Sequence, residues 1–194
     1  LNKNNFSLPV IAAPLFIISN PSLVIAQCKA GVLGSFPALN ARPHEVLDEW
    51  LAEITEELES FKSQNSNIPV APFAVNQIVH KSNDVRLDKD MEMCIKYKVP
   101  VVLMYSKDSS SRTTKKSIDY FDVMDTIKIF FRERIKFALS EGIQKKQIII
   151  DPGMGFFISS NSKYSFDVVA RISELHEFGF PLMLGPSKKS FLSR

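Results

Sequence analysis

Cysteine is scarce in this chain, with 2 in 194 residues. Cys28 and Cys94 both fall inside helical patterns on apolar faces, where they read as buried thiols of a reducing cytoplasm. Histidine is nearly as scarce, with 3 residues, and His44, His80 and His176 have no ligand-like spacing. No metal ligand is therefore assigned. Charge of one sign is also missing: 24 Lys and Arg against 21 Asp and Glu leave a formal net charge of +3. That is too weak to argue for nucleic acid, and an anionic small substrate suits it equally well. No apolar run approaches the roughly 18 residues of a membrane span, and no secretory signal is visible after Leu1. These absences predict a cytoplasmic globular protein without nucleic-acid or membrane partners. There is no internal repeat of fixed period.

What is present is a strict alternation of strand and helix patterns. Pro9 to Pro14 reads as a first strand. Asn20 caps a helix with Pro21 at its first position and Gly31 just past its end. Val32 to Phe36 is a short second strand. Pro43 opens a long helix to about Lys62, with Leu47, Trp50, Leu51, Ile54, Leu58 and Phe61 at helical spacing. Val70 to Ile78 is the third strand, and Ser82 caps a helix carrying Leu87, Met91, Cys94 and Ile95. Val99 to Tyr105 has the length and β-branched content of a buried strand.

Ser106 to Lys116 contains no apolar residue, which predicts an exposed, mobile loop. A helix follows from about Asp119 to Glu141, with Val123, Ile127, Phe130, Phe131, Ile135, Ala138 and Leu139 inward, stopped by Gly142. Gln147 to Ile150 is an apolar strand ending in Asp151-Pro152-Gly153-Met154-Gly155-Phe156. Ser159 to Ser162 is a polar loop. Ser165 caps a helix through Phe178, closed by Gly179. Pro181 to Leu184 is a last strand, followed by Gly185-Pro186-Ser187-Lys188-Lys189-Ser190.

Six strands and five helices, plus the start of a sixth helix, build a parallel sheet with right-handed crossovers. A complete eight-stranded barrel needs about 250 residues. The fold class expected is therefore α/β, an incomplete (β/α)8 TIM-type barrel of about six parallel strands. An open apolar edge predicts marginal stability or self-association as a homo-oligomer.

In parallel α/β folds, chemistry gathers at the C-terminal strand ends. Asp151 follows three isoleucines, where a bare carboxylate is expensive. It either caps its own turn or grips two N–H donors of a heterocycle. The Lys188-Lys189 pair is either a solvated surface pair or an anchor for an anion or carbonyl oxygen.

Three motifs carry a first resemblance: Val101-Val102-Leu103-Met104, Ile150-Asp151-Pro152-Gly153-Met154-Gly155-Phe156 and Gly185-Pro186-Ser187-Lys188-Lys189-Ser190-Phe191. On them, residues from about 100 to 194 resemble dihydropteroate synthase, a (β/α)8 barrel. That family condenses a dihydropterin diphosphate with p-aminobenzoate in folate biosynthesis, with magnesium on the diphosphate. The resemblance implies that Asp151 holds the pterin amino and ring N–H groups and that Lys189 contacts the pterin carbonyl. Met104 and Gly185 line the pterin slot, and Gly155, Phe156, Ser187 and Ser190 belong to the substrate-binding set, with Phe156 and the two serines facing p-aminobenzoate. Several family features differ or are missing. Lys188 stands for the usual Arg, Tyr105 for a common His, and Phe157-Ile158 for Gly-Lys. The Asn-x-Thr-x-Asp-Ser-Phe and Gly-x-Glu-Ser-Thr signatures of the family's first two strand loops are absent from the sequence, and its diphosphate-binding Arg and His fall beyond Arg194.

Residues from about 8 to 103 instead resemble nitronate monooxygenase, an FMN-dependent barrel oxidoreductase. The carriers are Pro9-Val10-Ile11-Ala12-Ala13-Pro14-Leu15-Phe16, Gly31 to Arg42 and Phe73 to Asn83. This resemblance implies that Ala13, Pro14, Leu15 and the Asn76 amide lie against a flavin ring, with a nitronate as substrate. Leu15 stands for the usual Met, the family's catalytic His is missing, and His80 sits in a different motif. The combined expectation is one composite domain, residues 1–103 from one barrel type and 104–194 from the other, as a fragment or chimera in which neither site is complete and turnover is negligible.

Overall fold

The computed structural model describes residues 5–77, 84–108, 113–186 and 190–192, the side chains of residues 84, 85 and 190 excepted. The chain divides into two compact units, Leu1–Pro100 and Val101–Arg194. Each repeats the same grammar of short parallel strands and covering helices.

In the first unit, α1 (Pro21–Lys29) starts where its cap chemistry says it should. Asn20 Oδ1 accepts from Leu23 N at 3.0 Å, Pro21 needs no N–H partner, and Gly31 takes φ +77° just beyond the end. β1 (Gly34–Pro37) pairs in parallel with β2 (Phe73–Asn76), Gly34 opposite Phe73 and Pro37 opposite Asn76. The expected first strand, Pro9 to Pro14, is reduced to one parallel bridge between Ile11 and Leu33. The second and third strands are likewise shorter than their apolar runs.

α2 (Val46–Gln64) begins three residues later than Pro43. Val46 N, Leu47 N and Asp48 N first bond back three residues, to Pro43, His44 and Glu45, so a tight turn precedes the helix proper. α3 (Asp84–Lys96) buries Cys94 and Asp90 but leaves Ile95 exposed. Its expected Ser82 cap lies outside the described residues, as does His80. The unit's core joins Val24, Cys28, Phe36, Leu47, Leu51 and Ile54. Both cysteines are buried, and desolvation pushes each thiol up to about 11, so neither is a thiolate near neutrality.

In the second unit, β3 (Val101–Met104) pairs in parallel with β4 (Ile148–Asp151). The expected last strand survives as a single parallel bridge, Leu182 to Ile150. Among the described residues, four strands and two bridges thus stand where six strands are expected. α4 (Val123–Ser140) is capped by Asp122, whose carboxylate accepts from Met124 N and Asp125 N. Met124, Ile127 and Phe131 are fully buried on its inner face, but Leu139 is 44% exposed.

α5 (Ser162–Ala170) is capped by Asn161, not Ser165. It stops at Ala170 and the chain continues as a 3-10 helix over Ile172–Phe178, ended by Gly179 at φ +67°. Ile148, Ile150, Ile158, Val168 and Leu175 complete this unit's core with the inner face of α4. Among the described residues no helix is long and apolar enough to cross a membrane.

Candidate functional site

Strand alternation decides which way β4 aims its side chains. Ile148 and Ile150 join the helix-side core, so Ile149 and Asp151 turn to the opposite face. β3 follows the same rule in register, Met104 opposite Asp151 and Val102 opposite Ile149. β3 is therefore not uniformly buried as its apolar run suggests. Leu103 packs on the core, whereas Val102 and Met104 are each more than a third exposed beside Ile149 and Asp151.

At the rim, Asp151 is only 6% exposed. Its Oδ1 accepts from Gly153 N at 2.8 Å. The carboxylate therefore does cap its own turn, one of the two readings of the sequence. Pro152 and Gly153 make the turn possible: Gly153 sits at φ +68°, and a Cβ there would lie 2.5 Å from the Tyr105 carbonyl oxygen. Tyr105 N in turn donates to Asp151 O at 2.9 Å. The loops after β3 and β4 are thus in backbone contact at the carboxylate.

Beyond the turn, Met154 and Gly155 are buried and Phe156 is half-buried. Gly155 N donates to Ser165 Oγ at 3.1 Å, which explains why Ser165 is fully buried inside α5 instead of capping it. The Phe156 carbonyl accepts from Thr113 Oγ at 2.7 Å, and Lys115 Nζ stands 5.9 Å from the centre of the Phe156 ring.

The loop after β3 follows its polar composition in part: Thr114, Lys115 and Lys116 are exposed, yet the Lys107 side chain is 1% exposed and Asp108 15%. They pair with each other, and Lys107 Nζ also bonds Thr114 O at 2.8 Å and Thr114 Oγ at 3.1 Å. Polar groups can be buried where they satisfy one another. Further along, Tyr120 N donates to Tyr164 Oη at 3.1 Å and Tyr120 Oη donates to Ile158 O at 2.6 Å. Burial holds the Tyr105 and Tyr120 phenols above their ordinary range, so both are neutral at pH 7 and serve as scaffolding.

Gly185 lies just past the Leu182 bridge, with open space where a Cβ would stand. Ser187, Lys188 and Lys189 lie outside the described residues, and Ser190 is described only as the first residue of a 3-10 turn, Ser190–Leu192. Of the second-unit site residues, Asp151, Met104, Gly155 and Phe156 are brought onto one rim. Thr113, Lys107, Asp108 and Ser165 support that rim and carry no local sequence signal beyond their hydroxyl and charged side chains.

The first unit's candidates are arranged differently. Ala13, Pro14 and Leu15 are exposed. Leu15 N already donates to Ser19 Oγ, and Leu15 O already accepts from Asn40 Nδ2. Those two Leu15 groups are therefore engaged, one by Ser19 of the same loop and one by Asn40 after β1. Asn76 is exposed at the end of β2.

Among the described residues no group of three His, Cys, Asp or Glu side chains could hold a metal ion. The magnesium implied by the pterin resemblance has no built site among them.

Comparison with known proteins bears on these readings. A family profile described as pterin binding enzyme matches residues 64–194. The dihydropteroate synthase type-3 of Escherichia coli is 32% identical over 145 residues, 73% of this chain and 53% of that protein. The dihydropteroate synthase of Synechocystis is 31% identical over 104 residues, 54% of this chain and 35% of that protein. The chain spans about half the length of the curated relatives it matches, or less.

Two solved structures are similar in fold. Yersinia pestis dihydropteroate synthase with a pterine–sulfa conjugate has a TM-score of 0.56 and 24% identity, covering 93% of this chain and 59% of that one. The Clostridium difficile enzyme in the presence of pteroic acid has a TM-score of 0.53 and 26% identity, covering 87% and 52%. These likenesses imply an α/β barrel of TIM type, and the short parallel sheets are consistent with part of one. The matches support the pterin resemblance, from residue 64 onward, and lend no support to the flavin resemblance or to a chimera.

Proposed function

Because the chain belongs to the pterin binding enzyme family, we propose that the rim around Asp151 takes the heterocycle of a dihydropterin. The observation that carries this reading is a nearly buried carboxylate at a β-strand end, in register with a half-exposed Met104. A carboxylate offers acceptors only, and a pterin edge offers adjacent N–H donors, so the two match without a proton transfer. Met104 and Gly185 line the flat ring. Lys189 contacts the pterin carbonyl. Phe156, Ser187 and Ser190 form the side that meets p-aminobenzoate, and Gly155 belongs to the same substrate-binding set.

The chemistry served is that of dihydropteroate synthase in folate biosynthesis. The p-aminobenzoate nitrogen attacks the pterin methylene carbon, a C–N bond forms, the C–O bond breaks, diphosphate leaves, and the amine gives up a proton. Diphosphate is a good leaving group, so the protein contributes position and charge stabilisation more than acid or base catalysis. The sequence lacks the two N-terminal strand-loop signatures of the family. The proposal is therefore pterin binding by this chain, with negligible turnover by it alone.

The test is a fluorescence titration of the protein with a dihydropterin, repeated for Asp151→Asn. Asn keeps an acceptor for Gly153 N but turns an NH2 donor toward the ligand's own donors. Loss of a charge-assisted pair of bonds weakens binding by about tenfold or more. Equal affinity for the two proteins, or no binding by the unaltered chain, overturns the reading.

A further inference from the structure

The strand-end carboxylate is held by its own turn, but Phe156 is held from outside that turn. Its carbonyl accepts from Thr113 Oγ at 2.7 Å. That hydroxyl has one proton and faces a second acceptor, Asp108 Oδ2, at 3.2 Å. The shorter contact takes the proton. Asp108 then fixes Thr113 through the next residue: Asp108 Oδ2 accepts from Thr114 N at 2.8 Å and Oδ1 from Thr114 Oγ at 3.0 Å.

Lys107 completes the arrangement. Its three ammonium protons face the Asp108 carboxylate, Thr114 O and Thr114 Oγ. Its backbone N–H donates to Phe157 O at 2.8 Å. Two successive carbonyls of the loop after β4 are thus held by the loop after β3, one through Thr113 and one through Lys107. Asp108 is the common acceptor behind both.

We propose that Asp108 is a positioning residue: through Lys107, Thr113 and Thr114 it sets the Phe156 side of the rim, and so tunes affinity for the aromatic amine without touching it. This rests on the reading of the rim as a pterin and p-aminobenzoate site. The pterin end is anchored by Asp151 on β4, its own Gly153 bond and Tyr105 N, none of which runs through Asp108, Thr113 or Thr114. The carboxylate of Asp108 is held below the ordinary range by Lys107 first and then by Thr114 N.

The experiment compares the unaltered chain with Asp108→Asn and Asp108→Glu. Binding of a dihydropterin is titrated first, then binding of p-aminobenzoate at saturating pterin and magnesium pyrophosphate. Amide hydrogen exchange at Lys107, Thr114 and Tyr105 is followed in parallel. The expected result is unchanged pterin affinity in all three and p-aminobenzoate affinity about fivefold to tenfold lower in Asp108→Asn, the scale of one lost charged hydrogen bond. Asp108→Glu recovers part of it. Exchange at Lys107 and Thr114 speeds up in Asp108→Asn, while Tyr105, bonded to Asp151 O, stays protected.

If p-aminobenzoate affinity stays within twofold while pterin still binds, the positioning role is overturned and the site reading survives. If pterin affinity falls equally in Asp108→Asn, the residue is merely structural and the inference is also overturned. If the unaltered chain binds no pterin, the site reading itself fails and the inference falls with it.

Discussion

Met104 and Asp151 are register partners at the ends of β3 and β4, and one residue further on Tyr105 N donates to Asp151 O at 2.9 Å. The pairing puts a polarisable side chain beside a carboxylate on the face turned away from the helices. The turn that follows leaves no room for a side chain at Gly153, where an added Cβ meets the Tyr105 carbonyl.

Gly153→Ala is therefore expected to destabilise the protein by more than the about 1–2 kcal/mol of a left-handed backbone alone. Gly142→Ala is the control: φ is +86° there as well, but nothing lies within 4 Å of the added Cβ. Denaturant melts of both variants should rank Gly153→Ala clearly below Gly142→Ala. Equal midpoints contradict the close approach.

Ser165→Ala removes the acceptor for Gly155 N, which is buried. An unsatisfied buried N–H costs about 1–3 kcal/mol. Urea unfolding should show a loss in that range, with faster amide exchange at Gly155. A neutral substitution contradicts the role given to this hydroxyl.

Much of this was legible locally. The Asn20, Pro21 and Gly31 signals placed α1 because capping is a short-range matter of hydrogen bonds and φ angles. The Asp151 turn was legible because three isoleucines followed by Asp-Pro-Gly can only present the carboxylate at a rim. Ser165 reads as a cap in the sequence because a serine near a helix start has the same local appearance whether it bonds its own helix or a loop ten residues earlier. The burial of the Lys107 side chain in the loop after β3 is not legible because composition reports the need of polar groups for partners, not whether other polar groups supply them. The exposure of Val102 and Met104 is not legible in the Val99 to Tyr105 pattern, because an apolar run does not say which of its two faces the helices cover.

Phe131 is fully buried, with edge-on contacts to Phe130 and Phe178. Phe131→Ala should cost about 3–5 kcal/mol. Phe137, 58% exposed on the same helix, should tolerate Ala within about 0.5 kcal/mol. Chemical denaturation of the pair checks whether α4 presents the inner face described.

Glu174 carries a pH prediction. Arg171 first, and Lys128 second, lower its carboxyl from 4.5 to about 2. A depressed folded-state value stabilises the protein above the unfolded value, and this contribution is lost as pH falls through the folded one. Between about pH 4.5 and 2 the unaltered chain should thus lose stability more steeply than Glu174→Gln. Parallel thermal melts across that range measure it, and identical slopes contradict the assignment.

The central claim, that the Asp151 rim grips a pterin by its N–H edge, is met most directly by a crystal structure of this chain soaked with a dihydropterin. The account predicts the ring edge within hydrogen-bond distance of both Asp151 carboxylate oxygens, with Met104 along one side of the ring. A pterin bound elsewhere, or an Asp151 carboxylate that contacts only its own turn while ligand occupies the rim, contradicts it.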